Sequence, residues 1–383
     1  MLLRYGLALS LGYRSLSEAS INHFMGLRTD LEQPVRRALE SAGADYYHNL
    51  SSILGDARRL GLINSPVIDS SFDHWHIQYW GGKLVERYGY HYNGMMNRAF
   101  PGIHPMTVYD LGDGCFILIT PPFDCTSDVD ATEAISLCEE TLGLRIASMR
   151  GDRGTGSIEL TRSLAQRSVP ITCYLAAKSN SVLRRHARGR GWVTDAETGE
   201  RACLRKGLDY HGVKTNLVAL SKQDRNNPSK RRVFLFMTND ESSSDPFDIL
   251  RQYRMRGEHE RSLGCLTALG VKHLPSTENE KEIAGHLLTF MKLQFVFMLL
   301  RKRLGIAESC EPRTMANLLL RRPGMSWIEE RASGEHLRRT MIFANRAVIR
   351  KVGRTTLRFR GHEVTLIEQW RGHPRKRPLI ESD

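Results

Sequence analysis

No two cysteines in this chain are spaced C-x-x-C, and the seven present (Cys115, Cys125, Cys138, Cys173, Cys203, Cys265, Cys310) are scattered. That excludes a zinc ribbon and a disulfide framework, and the odd count suits a reducing cytosol. Nor do His and Cys gather anywhere at metal-ligand spacing. Long hydrophobic runs are also missing. FMKLQFVFMLL, at 290–300, is mostly apolar but only eleven residues long and is followed by basic residues, so it reads as a buried helix. The opening MLLRYGLALSLGYRS is too short and too polar to span a membrane and lacks a convincing cleavage site. There is no internal repeat and no low-complexity tract. Together these absences lead us to expect a cytoplasmic protein without a membrane role.

Acidic residues are the minority: 42 Asp+Glu stand against 55 Lys+Arg, giving a net charge of +13 and a pI near 9.6. The excess is uneven. From Arg301 onward there are 19 Lys+Arg and 9 Asp+Glu, a surplus of 10, which leaves +3 for everything before. A polyanionic partner follows, nucleic acid first and an anionic membrane surface second. A basic tail is also commonly just a solvated one. With 383 residues and 41% hydrophobic content, the chain can bury a sizeable core, so wholesale disorder is excluded.

Patterning divides the chain into three. Residues 1–62 are expected to be helical, with SLSEASINHFMGL, LEQPVRRALESAG and YYHNLSSILGDARRLGL separated by polar breaks. Such short helices serve either as a DNA-touching helix-turn-helix or as a small packing bundle. Residues 63–305 are expected to form an α/β core. SPVIDSSF and CFILIT read as strands, and DVDATEAISLCEETLG reads as a helix ending at Gly143. RIASM, SIELTRSLAQRS and VPITCYL complete a β-α-β pattern. Residues from about 178 to 230 turn polar and rich in Gly, Arg and Asn, with short β-like pieces, as a β-rich insertion would. RRVFLFMTND restores a strand, and DPFDILRQYRMRGEHERSLG reads as one helix with Asp245 as N-cap and Pro246 at its first position. Residues 306–383 form a basic C-terminal region.

Within the core, acids sit at telling places. Asp152 lies in the turn GDRGTG just past a strand, where glycines allow something to approach the backbone closely. Asp69 lies in a strand-like run, with Asp73 four residues on, and Glu260 lies on the helix after a third strand. Carboxylates on a rigid sheet and a facing helix can bind a pair of Mg²⁺ ions roughly 3.5–4 Å apart, a hard cation suited to oxygen ligands. Three acids among 42 are equally what turn-capping aspartates and a solvated glutamate provide. At about 100° per residue, Tyr253, Arg256 and Glu260 share one helical stripe, with Glu258 roughly opposite. An Arg and a Tyr beside such an acid could hold phosphates, the Arg by its bidentate fork.

Y-x-x-R-x-x-x-E on a helix, together with Asp69 and D-R-G at 152–154, resembles the DDE transposases of bacterial and archaeal insertion sequences, in particular the subgroup with a Tyr-Arg-Glu-Lys signature. The resemblance covers roughly residues 65–305. It implies an RNase H-like mixed sheet flanked by helices, with a β-rich insertion before the helix that carries the Glu. It implies that Asp69, Asp152 and Glu260 are catalytic and hold two Mg²⁺ ions (or Mn²⁺), and that Tyr253, Arg256 and Arg153 contact DNA. The substrate would be double-stranded DNA, both the element's ends and the target, cut and joined in the cytoplasm at the nucleoid; a homodimer on the DNA fits that scheme. Two departures stand out: Thr267 occupies the place of the family's Lys, and Thr155 follows Gly154 where an aromatic is common. Asp73 remains a rival to Asp69 as the first acid. A decayed copy that binds DNA without cutting it, and an RNase H-like nuclease that hydrolyses without joining, are the alternatives.

Overall fold

The computed structural model describes residues 2–10, 32–78, 90–93, 98–124, 131–152, 158–167, 171–177, 181–187, 191–210, 212–224, 227–272, 274–275, 277–306, 324–330, 336–344, 349–350, 352–353, 356–359 and 362–368. Along the chain, helices α1 (Leu2–Ser10), α2 (Glu32–Ala44) and α3 (Tyr46–Arg59) precede strand β1 (Val67–His74). Strands β2 (Ile77–Gln78), β3 (Tyr90–Asn93) and β4 (Arg98–Ile103) form a small sheet in the order β2-β4-β3. The core continues with β5 (Met106–Asp110), β6 (Cys115–Ile119), α4 (Ala131–Ser136), β7 (Arg145–Gly151), α5 (Ile158–Gln166) and β8 (Thr172–Ala176). After α6 (Ser181–His186) come β9 (Val193–Thr194), β10 (Arg201–Tyr210), β11 (Val213–Asp224) and β12 (Asn227–Thr238). Helices α7 (Pro246–Arg254), α8 (Arg256–Ala268) and α9 (Glu280–Leu304) follow, then β13 (Gly324–Glu330), β14 (His336–Ala344), β15 (Thr356–Phe359) and β16 (His362–Glu368).

The fold is α/β, built on a nine-stranded sheet in the order β6-β5-β1-β7-β8-β12-β11-β10-β9. Strands β6, β5 and β1 pair antiparallel, while β1, β7 and β8 run parallel. A three-strand antiparallel meander carried on into two parallel strands is the RNase H-like order. The all-apolar reading of CFILIT holds: β5 and β6 are buried at every position. Although β6 is an edge strand, it is covered. The Tyr46 hydroxyl on α3 donates to the Ile119 carbonyl at 2.5 Å, which blocks edge-to-edge pairing.

The region expected to be an insertion is built from three long antiparallel strands. Strand β12 runs unbroken through the boundary expected near residue 230 and pairs antiparallel with β8, so the long ribbon β10–β12 extends the central sheet. Where it adjoins the central sheet both its faces are buried, one on α6 through Leu183 and Leu235, the other on α7 through Phe236, Phe247 and Leu250. A polar, glycine-rich sequence hid this, because only alternate short stretches of each strand are apolar.

The chain separates into two compact units. One comprises residues 33–264 and 274–291; it holds the large sheet and, contrary to the expected division at residue 62, helices α2 and α3. In this unit Gly43 and Gly285 let α2 and α9 approach so closely that a Cβ at Gly285 would lie 2.0 Å from the Leu39 carbonyl oxygen. The segment SLSEASINHFMGL falls outside the described residues. The other unit comprises residues 1–32, 265–273 and 292–383, with β13–β16 in a four-stranded mixed sheet of order β13-β14-β16-β15. By length and composition α9 is apolar enough to cross a membrane, yet 72% of its most apolar window is buried in the protein, as read for FMKLQFVFMLL.

Candidate active site

The register between β1 and β7 decides which acids meet. A bulge after Ile68 shifts the pairing so that Asp69 lies opposite Ser148, and Phe72 opposite Gly151. Continued by one residue, it brings Asp73 level with Asp152 at the C-terminal ends of the two parallel strands. Asp69 lies four residues upstream, about 13 Å along the strand at the usual rise per residue. Side chains alternate, so Asp69, Ser71 and Asp73 share one face with Ser148, Arg150 and Asp152, and helices α7 and α8 cover that face.

Helix α7 starts as expected: the Asp245 side chain accepts from the Phe247 N–H, with Pro246 at the first helical position. The single helix expected over 245–264 is, however, broken at Met255 into α7 and α8. At the break the Gln252 carbonyl accepts from Arg150 Nε at 2.7 Å, a bond to the sheet that sequence periodicity does not reveal. Arg256 then opens α8 and points at the strands. Its Nη2 donates to Asp73 Oδ2 at 2.6 Å and its Nη1 to Glu260 Oε1 at 2.6 Å. Arg256 and Asp73 are each 13% exposed, while Glu260 is 57% exposed. Burial pushes the Asp73 carboxyl up to about 6; Arg256 opposes the rise, and the charges of Asp152 and Glu260 add to it. Asp73, Asp152 and Glu260 thus form one electrostatic group around Arg256.

Asp69 does not belong to that group. It accepts from Ser148 Oγ and from the guanidinium of Arg150, which is only 1% exposed. Arg150 also bonds Gln252 Oε1 at 2.5 Å and Ser148 Oγ at 2.9 Å, and lies 5.3 Å from the Tyr174 ring centre. Asp69, the first acid expected, is thus bonded to Ser148 and Arg150, while its rival Asp73 pairs with Arg256. Sequence alone could not separate them: both lie on the same face of β1, and only the bulge and register tell which one reaches Asp152.

Tyr253 packs on Phe236, ring centres 4.6 Å apart, and burial raises its phenol, with Arg256 opposing. Asp152, Lys222, Phe234, Phe236, Tyr253 and Arg254 line a cavity of about 470 Å³ beside the acids. Glu258 is exposed and pairs with Arg261, away from the strands. Arg153 lies outside the described residues.

His259 was missed in the sequence. It is fully buried, with Nδ1 3.0 Å from Ser71 Oγ and Nε2 2.9 Å from Thr107 Oγ1, and it stacks on Tyr109 with ring centres 5.5 Å apart. Burial depresses it to about 3, with a further push from Arg256, so the ring is neutral. It bolts α8 to β1 and β5 between Arg256 and Glu260. The signal was available, since 259 is i+3 from 256 and so shares the inward stripe.

The donor set is purely carboxylate, the chemistry Mg²⁺ favours. Among the described residues, no three His, Cys, Asp or Glu side chains are gathered closely enough to hold a metal. The place between Asp73 and Glu260 is taken by Arg256, whose Nε is buried with no hydrogen-bond partner. The group thus suits a hard cation in donor type, with Arg256 offsetting part of its negative charge.

No family model and no curated protein matches this chain. Among solved structures it is similar to one described as the cryo-EM structure of piggyBac transposase synaptic complex with hairpin DNA. The identity is 13% and the TM-score 0.35, over 66% of this chain and 58% of that one.

Proposed function

We propose that this protein is a DNA transposase that cuts and joins DNA strands, with Asp73, Asp152 and Glu260 as its acids. The observation that carries this reading is the strand register that levels Asp73 with Asp152 beneath an α8 helix presenting Arg256 and Glu260. Those three carboxylates would hold Mg²⁺ or Mn²⁺, which when bound supplies Lewis-acid stabilisation of phosphate oxygens and an acidified water. The chain's own groups do the rest. Arg256 offers a planar two-donor fork that suits a phosphate. Tyr253 presents a phenol beside it at the mouth of the cavity. Neutral His259 holds the helix so that Arg256 and Glu260 keep their positions over the strands. A basic chain supplies the attraction to double-stranded DNA.

Duplexes carrying the element's own ends, read from the DNA flanking its gene, provide the test. Asp152→Asn and Glu260→Gln should lose Mg²⁺-dependent cleavage and 3′-end joining by about 10³-fold or more, since several kcal/mol of charge stabilisation are removed. Glu258→Gln should retain activity. Loss at Glu258 alone would overturn the assignment. A second reading, a copy that binds DNA without cutting it, is favoured by Thr267 at the place of the family's Lys and by the arginine seated among the acids. Tight duplex binding with no cleavage in the wild type would select it.

A further inference from the structure

Two carboxylates on separate elements, Asp73 on β1 and Glu260 on α8, converge on one guanidinium, at 2.6 Å each. Asp152 acts on the same guanidinium through its charge. One monovalent side chain among three anionic groups leaves the acids, not the arginine, under-compensated. Arg256 Nε, meanwhile, is buried without a hydrogen-bond acceptor, so the arginine is not fully served by this arrangement. Nothing of the kind holds for Arg150, whose Nε, Nη1 and Nη2 all have acceptors. A side chain that leaves a donor orphaned while bridging two acids is poised to leave. Phosphate oxygens offer the same two-point geometry as the carboxylates it now spans.

We propose that Arg256 is a displaceable internal counter-ion: it occupies the place of the divalent cation between Asp73 and Glu260 and must swing away before a metal ion can load. This deepens the reading above and rests on it, since it takes the acid group as the metal site. The consequence is that the protein alone binds divalent ions weakly, and that metal loading is favoured once a phosphate takes the arginine. An unloaded enzyme is thereby kept from cutting or hydrolysing without its substrate.

The test is the affinity of the DNA-free full-length protein for Mn²⁺, measured by calorimetry or by the free-ion paramagnetic signal. Circular dichroism and thermal unfolding establish that each variant is folded. Arg256→Gln should bind Mn²⁺ at least about tenfold tighter than the wild type, because a unit positive charge within a few ångströms of the ion is removed. Arg256→Lys, a single-point cation that cannot span both acids, should fall between them and covers the case in which the glutamine variant fails to fold. Asp73→Asn combined with either arginine variant should abolish the gain, which assigns the ion to this group. Equal or weaker Mn²⁺ binding by both arginine variants overturns the counter-ion proposal while leaving the acid site in place. A gain that survives Asp73→Asn also overturns it, since the ion then sits elsewhere. Failure of every protein to bind Mn²⁺ removes the metal site, and the counter-ion proposal with it.

Discussion

Two arginine–aspartate pairs sit on the same face of one strand, and they differ in every respect that matters. At Asp69, Arg150 is sealed in the protein at 1% exposure, with each of its nitrogens bonded to Asp69, Ser148 or Gln252. At Asp73, Arg256 is shared between two acids and carries an orphaned Nε. The first pair has the completeness of a structural joint that ties β7 to α7. The second has the incompleteness of a site awaiting something else. Charge and position in the sequence do not separate them; satisfaction of donors does.

That contrast predicts unequal stability losses. Arg150→Met should destabilise the protein by about 3–5 kcal/mol, because it strips partners from Asp69 and from the Gln252 side chain and carbonyl. Arg256→Gln should cost less, about 1–2 kcal/mol, since Glu260 is largely exposed, Asp73 can take up a proton and the glutamine amide keeps a donor beside it. Urea unfolding of both variants measures the difference, and equal losses would erase the distinction drawn between the two arginines.

His259 allows the comparison to be sharpened with pH. Its folded-state value, about 3, lies below the ordinary 6.5, so the unfolded chain binds a proton that the folded one refuses. The contribution of the neutral ring is therefore fully present above about pH 6.5 and is lost as pH falls towards 3. Asp73 works the other way: raised from 3.8 to about 6, it favours the folded state at low pH and loses that contribution as pH rises through 6. The clean readout is the difference between wild type and His259→Gln. From pH 6.5 to 5 the wild type should lose about 2 kcal/mol relative to the variant. A constant difference across that range would mean that His259 is not held neutral.

Smaller still is the effect expected on the far side of α8. Glu258→Gln removes only an exposed pair with Arg261 and should change stability by less than about 0.5 kcal/mol. A larger loss would place Glu258 in a network that the helix orientation denies.

Much of this was legible in the residues. The apolar run of β6 and the cap at Asp245 follow from patterning and are found where patterning puts them, while the turn GDRGTG after Asp152 lies outside the described residues. Three features escaped for physical reasons. The bulge after Ile68 is a backbone irregularity with no glycine or proline to mark it, so the choice between Asp69 and Asp73 stayed open. The break at Met255 coincides with a bond between the Gln252 carbonyl and an arginine 102 residues away. The ribbon β10–β12 joins the central sheet through backbone pairing with β8, which polar side chains do not announce.

The central claim is that Asp73, and not Asp69, completes the acid group, and strand cleavage of an end-bearing duplex in Mg²⁺ tests it most directly. Asp73→Asn and Asp69→Asn should be compared as folded proteins at equal concentration, below the unfolding range of the weaker one. The geometry predicts that Asp73→Asn is inactive and close to wild type in stability. Asp69→Asn should keep cleavage within about tenfold while losing about 2 kcal/mol of stability, the worth of a hydrogen bond to a charged partner. An inactive Asp69→Asn beside an active Asp73→Asn would contradict the account.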